Sequence, residues 1–332
     1  MSDVGTALIG PSGMWGPQIA AAAERADGLR LVTCYGRDEE RRRAFAEERG
    51  IEVADSFEAA IEHPEVEGVL LVTPNDLHAE QALACVERGK HVFVEKPIAD
   101  TLEAGERMRE AFAAAGLVLA VGHGMRRLGA ARRVKELVEQ GALGTVVLAE
   151  ANWSLPSRLT PQAWRWYRER AAGGPLLQLG VHHADTLAYW LGPVRRSYGA
   201  FAHLAIEAEI DDVGVVGLEF EGGALGVITG SYVSPRTYYL RLYGTEAALA
   251  YELDLSVWPR AERADEATTL VLRSADGDDR LDFPHRDPLA EELEEFGRAV
   301  RGEAVPETGA AEGLAALRVI LDALPESERS HG

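Results

Sequence analysis

Five short, branched-rich apolar runs recur through the first third of the chain: Ala7 to Ile9, Leu31 to Tyr35, Val69 to Val72, His91 to Val94 and Leu117 to Val121. Ala- and Glu-rich stretches of helical length lie between them, as at Asp38 to Arg49 and Ala79 to Arg88. An apolar run without polar alternation suits a strand covered on both faces, and strands that alternate with such helices pair in parallel through crossovers. The pattern predicts a doubly wound, Rossmann-type α/β domain over residues 1–122.

After Gly122 the texture changes. Val213 to Phe220, Leu225 to Tyr232 and Tyr238 to Tyr243 are strand-like and parted by Gly-Gly or Ser-Pro turns, which predicts an open, mainly antiparallel sheet. Helical spacing returns at Leu176 to Leu191, Leu289 to Val300 and Ala310 to Leu321, whereas Glu262 to Asp279 reads as polar loop. Residues 123–332 are therefore expected to form a contiguous α+β domain. Strands such as Val213-Gly214-Val215-Val216-Gly217-Leu218 carry apolar residues on both alternations, so the outer face of that sheet needs cover.

Composition excludes several partners. The 332 residues suffice for two domains, 46% are hydrophobic, and no apolar run reaches membrane-spanning length. A formal charge of −20 argues against nucleic acid and anionic membrane. Two cysteines, Cys34 and Cys85, make neither a disulfide framework nor a closed zinc site, and no charged-then-apolar leader precedes Ala7, so a cytoplasmic protein is expected. The histidines show no H-E-x-x-H spacing, and no metal is expected.

The first strand runs into Gly10-Pro11-Ser12-Gly13-Met14-Trp15-Gly16. Glycines between a strand and a helix let backbone amides approach a pyrophosphate at the helix N-terminus. The spacing is G-x-x-G-x-x-G, with Ser12 interrupting the usual form, and plain strand-to-helix turns also use glycine. The second strand ends in Gly36-Arg37 where an NAD-binding fold would place a carboxylate. A guanidinium there favours a 2′-phosphate, hence NADP over NAD, unless Arg37 and Arg41 to Arg43 merely pair with Glu39, Glu40 and Glu47.

Two polar constellations remain. Glu95-Lys96-Pro97 closes the fourth run and places a cation at a strand end. Within the expected helix from Leu176, the residues Gln178, His182, Asp185 and Tyr189 fall on one face beside an apolar face of Leu177, Val181, Ala184, Ala188 and Leu191. Such a stripe either borders a cleft or is a solvated surface.

The turn at Gly10 to Gly16, Thr73-Pro74-Asn75-Asp76-Leu77-His78 and Gly89 to Pro97 together resemble the Gfo/Idh/MocA oxidoreductases, the relatives of glucose–fructose oxidoreductase and inositol 2-dehydrogenase. Gly122-His123 to Arg126, Gly141-x-x-Gly144, Gly173-Gly174 and Gly180-Val181-His182-x-x-Asp185 extend the resemblance from about residue 4 to 325. It implies a hydride transfer between a nicotinamide and a secondary alcohol or ketone of a sugar, cyclitol or similar polyol, in a homodimer or homotetramer whose sheets pack face to face. By the same resemblance Lys96 and His182 are catalytic, and Gln178 stands where the family has an aspartate. Glutamine can orient an imidazole but cannot take a proton.

The expected cofactor contacts are Gly10, Ser12, Gly13, Met14, Trp15, Gly16, Gly36, Arg37, Thr73, Asn75, His78, Glu95, Lys96 and Arg165, and the expected substrate contacts are His123, Met125, Arg126, Trp153 and Asp185. Several have a plainer reading. Thr73 and Asn75 fit a helix-capping turn, His78 a helix surface, Arg126 a surface charge, and Trp153, Trp164 and Trp166 ordinary packing. Two other functions share these motifs: a bound-cofactor enzyme that cleaves or epimerises glycosides, and a non-catalytic dinucleotide or sugar sensor.

Overall fold

A computed structural model describes residues 3–257 and 260–325. The chain divides into two compact units. The first runs to Gly124 and takes in Pro288–Leu314 as well; the second holds Met125–Asp287 and the chain from Ala315.

The first unit carries β1 (Val4–Ile9), α1 (Gly16–Arg25), β2 (Leu29–Tyr35), α2 (Glu39–Arg49), β3 (Glu52–Val53), α3 (Phe57–Ile61), β4 (Gly68–Leu71), α4 (His78–Glu87), β5 (His91–Glu95), α5 (Leu102–Ala115) and β6 (Leu119–Gly122). The strands pair in parallel in the order β3-β2-β1-β4-β5-β6, the Rossmann arrangement, with the order reversing between β1 and β4. Every residue of β1, β4 and β6 is buried, which explains the apolar runs within these strands. Helix ends follow the local sequence. Asp38, Ser56 and Thr101 accept a backbone N–H at the starts of α2, α3 and α5, and Gly50 and Gly116 end α2 and α5 with positive φ.

The second unit carries α6 (Gly129–Glu139), β7 (Val146–Ser154), α7 (Val181–Leu191), β8 (Val194–Ala202), β9 (Val213–Phe220), β10 (Leu225–Ser231), β11 (Thr237–Gly244), β12 (Ala247–Leu253), β13 (Thr268–Ser274) and β14 (Gly277–Arg280). Its sheet runs β14-β13-β12-β11-β7-β10-β9-β8 and is antiparallel except where β7 meets β10. The stretch from Glu262 to Asp279, expected as loop, supplies β13 and β14 at one edge of this sheet. All four residues of β14, Gly277–Arg280, are exposed, so an edge strand here needs no apolar alternation, and its charges discourage further pairing.

The boundary differs from the contiguous division expected at residue 122. The segment Pro288–Leu314 belongs to the first unit, and the division falls again inside α9 (Ala310–Leu321). The reason lies in α8 (Pro288–Val300), which buries Phe296 against Gly68 and edge-on to Phe93, with ring centroids 6.2 Å apart at 61°. A Cβ at Gly68 would stand 2.9 Å from the Phe296 ring. The amphipathic spacing of α8 announces a buried face without naming the sheet it covers.

The N-terminus of α6 is capped from a distance. Leu128 offers no side-chain acceptor, and the Gly129 and Ala130 amides donate to the Asp265 carboxylate at 2.7 and 3.2 Å, joined by the Arg286 amide at 3.0 Å. Burial pushes the Asp265 pKa up, and these three donors oppose it. Asp265→Ala is expected to cost about 1–2 kcal/mol, the worth of an N-cap, as a lower urea midpoint at unchanged m-value. An unchanged midpoint would contradict the assignment.

Candidate active site

In the first unit the turn after β1 is built for a close approach. Gly10 has φ +98°, and a Cβ there would stand 2.8 Å from the Val72 carbonyl oxygen; at Gly16 it would stand 2.4 Å from that of Pro11. Gly13 differs, since a Cβ would meet nothing nearer than the Gly10 oxygen at 3.5 Å. Bare backbone at Gly13 therefore leaves room for something other than the protein. Ser12, Met14 and Trp15 complete the turn, with Met14 63% exposed. Trp15 occupies the N-cap of α1 without a side-chain cap, and the first turn holds no acidic residue. That end of the helix keeps its partial positive charge open.

At the end of β2, Gly36 packs so near Pro11 that a Cβ would stand 3.1 Å from its ring. The neighbouring guanidiniums divide into two groups. Arg41 pairs with Asp38 and Arg43 with Glu39, while Arg42 is buried, donating to the Gly36 carbonyl and lying over the Tyr35 ring. Arg37 is exposed and makes no ion pair or hydrogen bond among the described residues.

The ends of β4 and β5 meet through side chains. Asn75 is buried, and neither polar atom of its amide has a hydrogen-bond partner among the described residues. The Thr73 hydroxyl donates to Gln81 at 2.6 Å. His78, expected as a ligand contact or surface residue, is neither: Nδ1 lies 2.9 Å from the Pro97 carbonyl oxygen and Nε2 2.9 Å from that of Thr73. Burial pushes its pKa down, and a neutral ring donates to one of the two carbonyls. His78 therefore lies between the turn after Lys96 and the residues that follow β4, bonded to one of them. Glu95, expected at the cofactor, turns its carboxyl inward against Gly122, where a Cβ would stand 3.0 Å from Oε1. Burial pushes that carboxyl up to about 7, against the pull of Lys96. Lys96 is half-buried, its amide donates to Glu95 Oε2 at 3.3 Å, and the Lys96–Pro97 peptide is cis.

In the second unit, the stretch expected as one regular helix opens with a π turn over Leu176–Gly180 before α7. Leu176 explains its seat. Gly214 and Gly230 are paired neighbours on β9 and β10, and Cβ atoms there would stand 2.8 and 2.9 Å from the Leu176 side chain. The glycines form a notch for Leu176, and the wider turn takes Gln178 out of helical register with His182. Trp153 follows Gly230 in the same cross-strand row and carries His182 on its face, with ring centroids 5.1 Å apart. His182 and Gln178 are each 5% exposed, so this stripe is no solvated surface. The Gln178 side-chain oxygen accepts from Arg165 Nε at 3.2 Å, and the Arg165 guanidinium lies 4.5 Å from the Trp164 ring centroid.

The expected substrate contacts fare differently. Trp153 and His123 are 0% exposed and Met125 is 6% exposed, and Trp153 packs against the rings of His182, His183 and Tyr238. Arg126 and Asp185 are buried and bind each other through two hydrogen bonds, Nε to Oδ2 at 2.8 Å and Nη2 to Oδ1, which occupies the carboxylate expected at substrate hydroxyls. Arg126 also lies 5.0 Å from the Tyr189 ring centroid. Sequence reasoning missed Gly214, Gly230 and Tyr238 as the bed of the site. Glycine inside two adjacent strands, a position it weakens, was the available signal.

A family profile described as oxidoreductase family, NAD-binding Rossmann fold, matches residues 4–123, and one described as the GFO/IDH/MocA C-terminal domain matches residues 131–250. A 1,5-anhydro-D-fructose reductase from Ensifer adhaerens is 30% identical over 298 residues, covering 88% of this chain and 87% of the relative. The chain belongs to the Gfo/Idh/MocA family. Other relatives agree. The myo-inositol 2-dehydrogenase of Thermotoga maritima is 30% identical, with 84% of this chain and 83% of that protein covered. The crystal structure of a proposed NADPH-dependent oxidoreductase from Desulfitobacterium hafniense is 36% identical, with a TM-score of 0.92 over 97% of this chain and 94% of that one.

As a Gfo/Idh/MocA protein the chain is an NAD(P)-dependent oxidoreductase. Its own residues fit that cofactor: the space beside Gly13 and the start of α1, which has no side-chain cap, would suit a phosphate, and the Asn75 amide, without a partner among the described residues, would suit a hydroxyl or carboxamide. No helix among the described residues is long and apolar enough to cross a membrane.

Proposed function

We propose that the chain moves a hydride between NADP(H) and a secondary alcohol or ketone of a sugar, cyclitol or similar polyol. The nicotinamide, when bound, accepts or returns the hydride. His182 takes the hydroxyl proton as the alcohol is oxidised, and the ammonium of Lys96 offsets charge developing on that oxygen. Lys96 also contacts the nicotinamide ribose, and Gln178 orients the imidazole without exchanging protons. The observation that carries this reading is His182 itself, held against Trp153 in a nearly buried but not sealed position. The relatives' names, a reductase of an anhydro sugar and a dehydrogenase of an inositol, support the substrate class.

Phosphate contacts are assigned to the turn Gly10 to Gly16, with Arg37 on the adenosine 2′-phosphate and Arg165 on the anionic part of the cofactor. Exposed, ion-pair-free Arg37 supports the preference for NADP, because its neighbours are already engaged. The test is binding of NADPH and NADH by fluorescence, then a polyol panel followed by nicotinamide absorbance. Turnover that survives transfer into cofactor-free buffer without added nucleotide would favour bound-cofactor chemistry. Binding without any turnover would favour a sensor.

The outer face of the second sheet supports a homodimer or homotetramer. Tyr198 on β8, Val215 on β9, Leu225 on β10 and Leu148 on β7 are all exposed, Leu225 by 53%. Contiguous apolar sheet surface of this kind needs cover. Light scattering at micromolar concentration should give two or four times the chain mass. A monomer would contradict the assembly.

A further inference from the structure

Leu176 opens the π turn and is wholly buried. Its carbonyl accepts from the Val181 amide, five residues on, and that bond makes the turn wide. Its side chain fills a socket of three glycines. Cβ atoms at Gly214, Gly230 and Gly180 would stand 2.8, 2.9 and 3.0 Å from its methyl carbons, so a side chain at any of them would displace it. The chain enters the turn through Gly174, at φ +48°, where a Cβ would stand 2.0 Å from the Asp211 carbonyl oxygen.

One residue more in the turn rotates what precedes α7 by about 100° relative to a regular helix. In that setting the Gln178 side-chain oxygen accepts from Arg165 Nε at 3.2 Å. The segment that carries Arg165 is tied to the same backbone that seats the turn. The Glu209 amide donates to the Trp166 carbonyl at 2.9 Å, and Arg168 donates to the Glu209 carbonyl at 3.1 Å and to the Asp211 carboxylate at 3.3 Å. Both partners of the Gln178–Arg165 bond are therefore set against residues 209–211. A return to ordinary helical register would carry the Gln178 oxygen away while Arg165 stayed in place.

We propose that Leu176 is a positioning residue: its fit in the glycine socket holds the π turn, and the turn holds the Gln178 oxygen on Arg165. The arginine then meets a ligand with its guanidinium plane already fixed, and less freedom is lost on binding. The consequence for affinity rests on reading Arg165 as a contact to the anionic part of NADP(H); the placement itself does not.

The test follows the Arg165 Nε–H by NMR in cofactor-free protein carrying isotope-labelled arginine, its signal assigned by loss in Arg165→Lys. Gln178→Ala removes the acceptor and should make that proton exchange with solvent about tenfold faster, the order of one hydrogen bond. Leu176→Ala and Gly230→Ala should each do the same, the first by emptying the socket and the second by crowding it. Combined, they should slow the exchange again, because the new methyl enters space that the leucine leaves. Leu176→Met, near in volume, should keep it slow. Where Leu176→Ala does not fold, Leu176→Val takes its place in the pair. Unchanged exchange in Gln178→Ala, or in both socket variants, would overturn the proposal. So would a loss in Gly230→Ala that shortening Leu176 does not relieve. NADPH titration of the same proteins reads the consequence. Leu176→Ala and Gln178→Ala should weaken binding by the same factor, about fivefold, and their combination by no more than either. Affinity untouched in these variants and in Arg165→Ala would remove Arg165 from the cofactor, while the exchange result would still decide the placement.

Discussion

His182→Ala should lower kcat by about 10²–10⁴-fold and leave the affinity for NADPH unchanged, because a positioned acid–base group contributes that much to a proton transfer. Position 178 sharpens the test. If Gln178 only orients the imidazole, Gln178→Asp should keep or raise activity and move the pH profile upward, since a carboxylate favours the protonated ring. If Gln178 donates its amide hydrogens to substrate, a carboxylate has none to give, and the loss should appear mainly in KM. Full activity of His182→Ala against the true substrate would remove the base, whatever happens at position 178.

Arg37→Ala should weaken NADPH binding by about 1.5–3 kcal/mol, the range for a hydrogen bond to a charged group, and leave NADH nearly unchanged. Arg41 and Arg43 are poor substitutes because Asp38 and Glu39 hold them, and Arg42 is committed to the Gly36 carbonyl. Fluorescence titration of both nucleotides against both proteins measures the difference. Equal wild-type affinity for NADPH and NADH would refute the preference, and so would a collapse of NADH binding in Arg37→Ala.

The first unit was readable because its chemistry is local. Strands buried on both faces must be apolar throughout, and Val92-Phe93-Val94 cannot be mistaken for a surface segment. The glycine turn and Lys96 follow from strand ends in the same way. What the chain does not announce is which buried surfaces find each other. Phe296 has the periodicity of any amphipathic helix, and only the fold shows that it covers Gly68 and Phe93 rather than the second sheet. The π turn at Leu176–Gly180 depends on a notch made by Gly214 and Gly230, which are distant in sequence.

The same limit governs the site residues. Arg126 and Asp185 are 59 positions apart, and nothing in their local spacing says that each would satisfy the other. His78 and Trp153 present polar or aromatic groups that look ready for a ligand, yet His78 is bonded to a backbone carbonyl and Trp153 lies in a bed of rings. Lys96 and His182 keep their proposed roles because neither is sealed: one is half-buried and the other 5% exposed.

Hydride transfer itself is the central claim, and nicotinamide absorbance follows it most directly. Wild-type protein with NADP, offered anhydro sugars, aldoses and inositols, should generate NADPH with at least one of them, and His182→Ala should fail with that same compound at matched cofactor occupancy. Saturable NADPH binding with no absorbance change in either direction, across these alcohols and their ketones, would contradict the account.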